Sequence, residues 1–137
     1  MDLSDFQTDE TKEEKGAWVR MGDAEFLIAA NLNGAHRKAL NRLRNGKYAA
    51  AVRKGNQRDL DKMSIEAMAE AVLLDWRGNV CVNEKPVTHT VETAIKFLSA
   101  KQFRDWVIEQ SVTQANFELE KEAADVADMK SGDRVGD

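Results

Sequence analysis

The chain holds a single cysteine, a single proline, a single tyrosine and two histidines. With only one thiol, Cys81, no intrachain disulfide can form, and a lone cysteine suits a reducing compartment. No apolar run approaches the roughly 20 residues that a membrane helix needs. The start, Met1-Asp2-Leu3-Ser4-Asp5, is acidic and lacks the basic-then-apolar order of a secretory leader. A cytoplasmic protein is expected. His36, His89 and Cys81 lie in separate segments without the short spacings of metal ligands, so neither metal nor cofactor is expected. The eight glycines form no phosphate-cradling loop, since Gly22-Asp23 and Asn33-Gly34 are turn pairs. Cys81 and His89 make a poor nucleophile and base, because Cys81 has no basic neighbour before Lys85. Glu66 and Glu70, one helical turn apart, read as a solvated face rather than an acid–base pair. No catalytic residue emerges, and the expectation is a protein without enzymatic activity.

What the sequence does hold is charge, unevenly placed. Charged residues make up 32% of the 137, against the usual quarter, and the net charge is −4. From His36 to Arg58 there are eight bases and no acid: Arg37, Lys38, Arg42, Arg44, Lys47, Arg53, Lys54 and Arg58. The ends are acidic, with Asp2, Asp5, Asp9, Glu10, Glu13 and Glu14 at one and Glu118, Glu120, Glu122, Asp125 and Asp128 at the other. A chain polarised in this way can dock on itself or on an oppositely charged partner.

The pattern predicts an α+β fold, mostly α, with an N-terminal β-hairpin packed on about four helices. Residues 1–15 lack hydrophobic periodicity and read as a disordered acidic arm. Ala17–Met21 and Ala24–Ala29 flank Gly22-Asp23, a pair suited to a two-residue hairpin turn. A basic helix over Ala35–Lys54 follows, with Asn45-Gly46 as a break or bend. Ile65, Met68, Ala69, Val72, Leu73 and Trp76 recur at helical spacing, with Asp59 or Ser64 as the cap and Gly78-Asn79 as the stop. A loop around Pro86 carries a short extended pair near Val80-Cys81-Val82. Thr90 caps a helix through Leu98, and Ser99 opens another that buries Phe103, Trp106 and Val107. Beyond it, Ile108, Val112, Ala115, Leu119, Ala123 and Val126 make a thin apolar seam on charged sequence, suited to packing on another helix. The domain is expected over residues 16–129, with a flexible tail over 130–137.

Two binding readings follow. In the first, Phe117, Leu119, Ala123 and Val126 form an exposed stripe for a protein partner, with Arg37 and Arg42 on the basic helix beside it. The seam also suits self-association into a homo-oligomer. In the second, Arg37, Lys38, Arg42, Arg44 and Arg53 neutralise phosphates of a nucleic acid in a small regulatory protein. Against that stand a single aromatic in the segment, Tyr48, and an acidic pI near 5.3.

The ordered series of signals resembles the tail assembly chaperones of long-tailed bacteriophages. The elements that carry the likeness are the Trp-containing strand and Gly-Asp turn within Trp18–Asn31 and the basic helix Ala35–Lys54. The run Ala69-Glu70-Ala71-Val72-Leu73-Leu74-Asp75-Trp76, the capped stretch Thr90–Leu98 and Phe103-Arg104-Asp105-Trp106-Val107 follow. Ala115-Asn116-Phe117 with Glu118, Glu120 and Lys121 closes the series, which spans about residues 17–130. Val82-Asn83-Glu84-Lys85 and Thr88-His89-Thr90 depart from the family pattern, and those departures bear on loop geometry. The resemblance implies a protein that keeps the long, helical tape-measure protein soluble while the tail tube polymerises around it. It also implies action in the host cytoplasm, the tail tube protein as a further candidate partner, and absence from the finished virion.

Overall fold

The computed structural model describes residues 2–118. The architecture is α+β: a three-stranded antiparallel sheet on one side and helices on the other. The hairpin forms as its turn chemistry predicts, with β1 (Ala17–Met21) paired to β2 (Ala24–Ile28) across Gly22, which has φ +64°.

The hairpin does not stand alone. β3 (Leu73–Gly78) pairs antiparallel with β2, in the order β1-β2-β3, with a register shift between Leu27 and Ile28. This corrects the expected helix through Trp76. α4 runs Gln57–Ala71, starts on Asn56, whose side chain accepts from Asp59 N–H, and ends before Leu73. Leu73 and Trp76 are both buried although three apart, because the register shift opposite Leu27 and Ile28 skips Leu74 and brings the two onto one face. The edge of β2 offers unpaired backbone groups that only a third strand satisfies, and this tertiary demand decides between the two readings.

Two smaller boundaries also shift. The basic helix is two helices, α2 (Gly34–Asn45) and α3 (Ala49–Lys54), parted at Gly46. Ser99 ends α5 (Val91–Leu98) instead of opening the next helix, and α6 (Lys101–Ser111) starts after Ala100. Thr90 caps α5 as expected, exchanging hydrogen bonds with Thr93 in a capping box. The Pro86 loop holds a minimal two-stranded pair, β4 (Cys81–Val82) with β5 (Lys85–Pro86).

The acidic segment expected to be without structure carries a helix, α1 (Glu10–Lys15). Asp9 accepts from Thr11 and Lys12 N–H, Glu10 and Glu13 sit in the first turn, and Lys15 in the last, all favoured by the helix dipole. Asp9 N–H bonds Phe117 O and Ala30 N–H bonds Glu13 O, which ties the segment to the body.

The main core lies between the inner sheet face and α4, α5 and α6. Phe26 is its hub, in edge contact with Trp76, Phe103 and Trp106 at centroid distances of 6.2, 5.3 and 5.7 Å. Trp76 stacks on Phe97 at 4.8 Å, and its indole N–H donates to Val87 O at 2.8 Å. A second, smaller core joins α2 to α4 through Ala39, Leu43, Met63 and Ala67.

Candidate helix-docking groove

The α2–α4 seam has two edges of opposite character. On α4, Glu66 and Glu70 fall on one side of the buried Ala67, and Ser64 and Met68 on the other. The acidic edge is satisfied internally. Arg42 donates to both Glu70 carboxylate oxygens at 2.6 Å, and Glu66 accepts from Lys47 at 3.0 Å and from the Tyr48 hydroxyl at 2.9 Å. Partial burial raises the Glu66 pKa, but the Lys47 and Tyr48 bonds outweigh it and hold the carboxyl below its ordinary value. Burial, with Glu66 beside it, pushes Tyr48 upward.

The other edge opens into a groove of about 260 Å³ lined by Asn31, Leu32, His36, Leu40, Ser64, Met68 and Ile108. Its lining is mainly apolar and comes from α2, α4, α6 and the turn before α2. Leu32 is 44% exposed and Ile108 39%, while Val112, one turn beyond Ile108, is 60% exposed. Helical spacing sets Arg37 and Arg44 beside Leu40, one turn before and one after, and both are exposed.

The turn that presents Leu32 is built from buried polar groups. Asn33 caps α2 by accepting from His36 N–H, and its amide donates to Ala30 O at 2.8 Å and Ala71 O at 3.1 Å. Leu32 adopts φ +58°, a conformation costly for a branched side chain. It is held there because its N–H donates to His36 Nδ1 at 2.8 Å and its carbonyl accepts from Arg37 Nε at 2.8 Å. His36 is only 4% exposed, and burial lowers its pKa. Accepting the Leu32 N–H requires Nδ1 to be unprotonated.

The residues expected to form a binding stripe divide. Phe117 is buried, at 3% exposure, so it does not belong to an exposed stripe. A 3-10 turn over Gln114–Phe117 folds it back, and α1 and β1 pack over that turn, elements not expected to reach it. Leu119, Ala123 and Val126 lie outside the described residues. Arg37 lines a separate recess with Glu10, Glu13 and Glu14 that shares Leu32 with the groove, whereas Arg42 lies across the seam in its ion pair with Glu70. The eight bases therefore do not share one face. Leu32 gave no sequence signal, since its positive φ depends on tertiary contacts. Leu40 and Met68 fit apolar helix faces, but only the packing shows that Leu40 stays half-buried while Met68, 7% exposed, floors the groove.

Elsewhere, Cys81 donates to the Asn79 side chain, while His89 Nε2 donates to Leu73 O at 3.0 Å, so each is engaged apart from the other. Among the described residues no group of three or more His, Cys, Asp or Glu is placed to hold a metal ion, and no helix is long and apolar enough to cross a membrane.

These features define a small helix-rich α+β domain with an open, mainly apolar groove between helices. The family model for YdaY prophage protein matches residues 29–128, and the chain belongs to that family, which makes it a phage-derived protein. No curated protein and no solved structure matches it.

Proposed function

We propose that the protein is a tail assembly chaperone: it binds amphipathic helices of the tape-measure protein and keeps them soluble until the tail tube encloses them. The observation that carries this reading is the groove of Leu32, Leu40, Met68 and Ile108, open where α2, α4, α6 and the turn before α2 meet, with exposed Arg37 and Arg44 flanking Leu40 along α2. Helix-in-groove recognition needs this geometry, an apolar trough that accepts side chains at helical spacing with charge at its rim. A small groove gives weak single contacts, and repetition along a long helical client turns weak contacts into avidity that remains reversible. The prophage family supplies the setting, and the ordered resemblance to tail chaperones supplies the client. The role is non-enzymatic and belongs in the host cytoplasm during assembly.

Co-expression with a fragment of the tape-measure protein from the same prophage tests this. The expected result is a soluble complex that is lost when Leu40→Asp and Ile108→Asp are combined, with the circular dichroism of the free protein unchanged. A complex that survives both substitutions, or a fragment that stays insoluble with the wild-type protein, rejects the reading.

A further inference from the structure

Strand β1 is an edge of the sheet, and the ladder fixes which of its backbone groups face outwards. Asn79 N–H donates to Asp23 O at 3.2 Å, which continues the β2–β3 ladder beyond the Ala24–Gly78 pair. Bonding alternates along an antiparallel pair, so Asp23, Glu25 and Leu27 turn their main-chain groups towards β3. Ala24, Phe26 and Ile28 therefore bond β1, through their partners Met21, Val19 and Ala17. The intervening Trp18 and Arg20 point N–H and C=O away from the sheet. A 3-10 turn over Gln114–Phe117 lies beside the strand, but no backbone group among the described residues bonds those of Trp18 and Arg20.

Proline, bulges and charge guard most native sheet edges. β1 pairs with β2 without a bulge, lacks proline and carries a single charge, Arg20. Trp18 and Arg20 share the outer face of the sheet and are both exposed. Arg77, from β3, lies over the Trp18 ring at 3.8 Å. Arg20 stands opposite Glu25 in the ladder, but that carboxylate accepts from Arg77 at 2.8 Å. Arg20 itself forms no ion pair among the described residues.

A second copy of β1 fits this edge. Antiparallel self-pairing must set outward-bonding residues opposite one another, so the axis can fall on Trp18, Val19 or Arg20. An axis on Arg20 sets it against the partner's Arg20, a like-charge clash. An axis on Trp18 calls Gly16 into the ladder, but Gly16 N–H already donates to Lys12 O. An axis on Val19 meets neither obstacle. Trp18 then lies opposite the partner's Arg20 and Arg20 opposite the partner's Trp18, two pairs that each exchange two backbone bonds. Each guanidinium gains an indole across the axis, a cation–π contact. On the inner face Met21, exposed in the single chain, lies against the partner's Ala17.

We infer that β1 pairs antiparallel with β1 of a second copy, centred on Val19, and joins two three-stranded sheets into one of six. Five residues from each chain make a small interface, so the dimer is weak and depends on concentration. The groove uses other elements, so this inference and the client reading fail separately.

Sedimentation of the full-length protein across a concentration series into the millimolar range tests the dimer. The expected result is a monomer–dimer equilibrium that Arg20→Pro weakens at least about tenfold, since proline removes half of the intermolecular donors. Arg20 N–H faces outwards, so this change spares the β1–β2 ladder and should leave the circular dichroism unaltered. Cross-linking in a Cys81→Ser background reads the register. Val19→Cys falls on the axis, in the closer, non-hydrogen-bonded kind of pair, whereas two Arg20→Cys thiols lie on a diagonal. Mild oxidation should therefore link chains through Val19→Cys at least about tenfold faster than through Arg20→Cys. If Arg20→Pro disturbs folding, the cysteine comparison decides alone. A chain that stays monomeric throughout, a dimer that a folded Arg20→Pro leaves intact, or faster linkage through Arg20→Cys would overturn the inference.

Discussion

At the scale of single residues, the turn before α2 carries the sharpest consequences. Asn33 makes three hydrogen bonds that join α2, the end of β2 and the end of α4. Asn33→Ala removes a helix cap and leaves buried backbone groups without partners, so urea unfolding should show a loss of about 2–3 kcal/mol. His36 gives a pH signature of definite sign. Its folded-state pKa lies below the ordinary value near 6.5, so the unfolded chain takes up the proton first. The stabilising contribution is present above about pH 6.5 and is lost as the pH falls from there through the lowered folded value. Unfolding followed across that window should show this slope in the wild type and not in His36→Gln. Gly78 makes a third case: it has φ +89°, and an added Cβ would meet Asp23 O at 2.7 Å. Gly78→Ala should therefore cost about 1–3 kcal/mol in the same assay.

At the scale of elements, the sequence disclosed most where one local rule had no competitor. The Gly22-Asp23 turn and the Thr90 cap are such places, since their chemistry acts within four residues. β3 was illegible because the three-residue spacing of Leu73 and Trp76 is helical, and only the irregular register against β2 puts both on one strand face. α1 was missed for a related reason. Its charged residues bury nothing, but its cap and its backbone bonds to Phe117 and Ala30 hold it. Half of the groove was visible as the apolar faces of α2 and α4, but its openness was not, because openness depends on what fails to pack over Leu40 and Ile108. Trp76 joins the elements most heavily, touching Phe26, His89 and Phe97 and donating to Val87 O. Trp76→Ala should cost about 3–5 kcal/mol, read by thermal or urea unfolding, because the cavity and the lost hydrogen bond act together.

At the scale of the molecule, the charge segregation and the groove belong to one design. The bases divide: Arg42 of α2 and Lys47 just beyond it staple α2 to α4 by pairing with Glu70 and Glu66, while Arg37 and Arg44 flank Leu40 and Arg37 lines a recess with Glu10, Glu13 and Glu14. This division argues for an acidic amphipathic helix as ligand rather than a phosphate backbone, which would need the bases together. A gel shift across a salt series should accordingly show no retention of DNA or RNA above about 150 mM salt, where a dedicated phosphate binder making several contacts still retains its target. The central claim is that client helices lie against Leu32, Leu40, Met68 and Ile108. Methyl NMR of the full-length protein, titrated with a soluble tape-measure helix, tests it most directly. The account predicts progressive shifts of those four methyl signals, with those of Val19 and Val107 in the main core unmoved. Shifts confined to Leu27 on the outer sheet face, or none at client concentrations that form a complex, would contradict it.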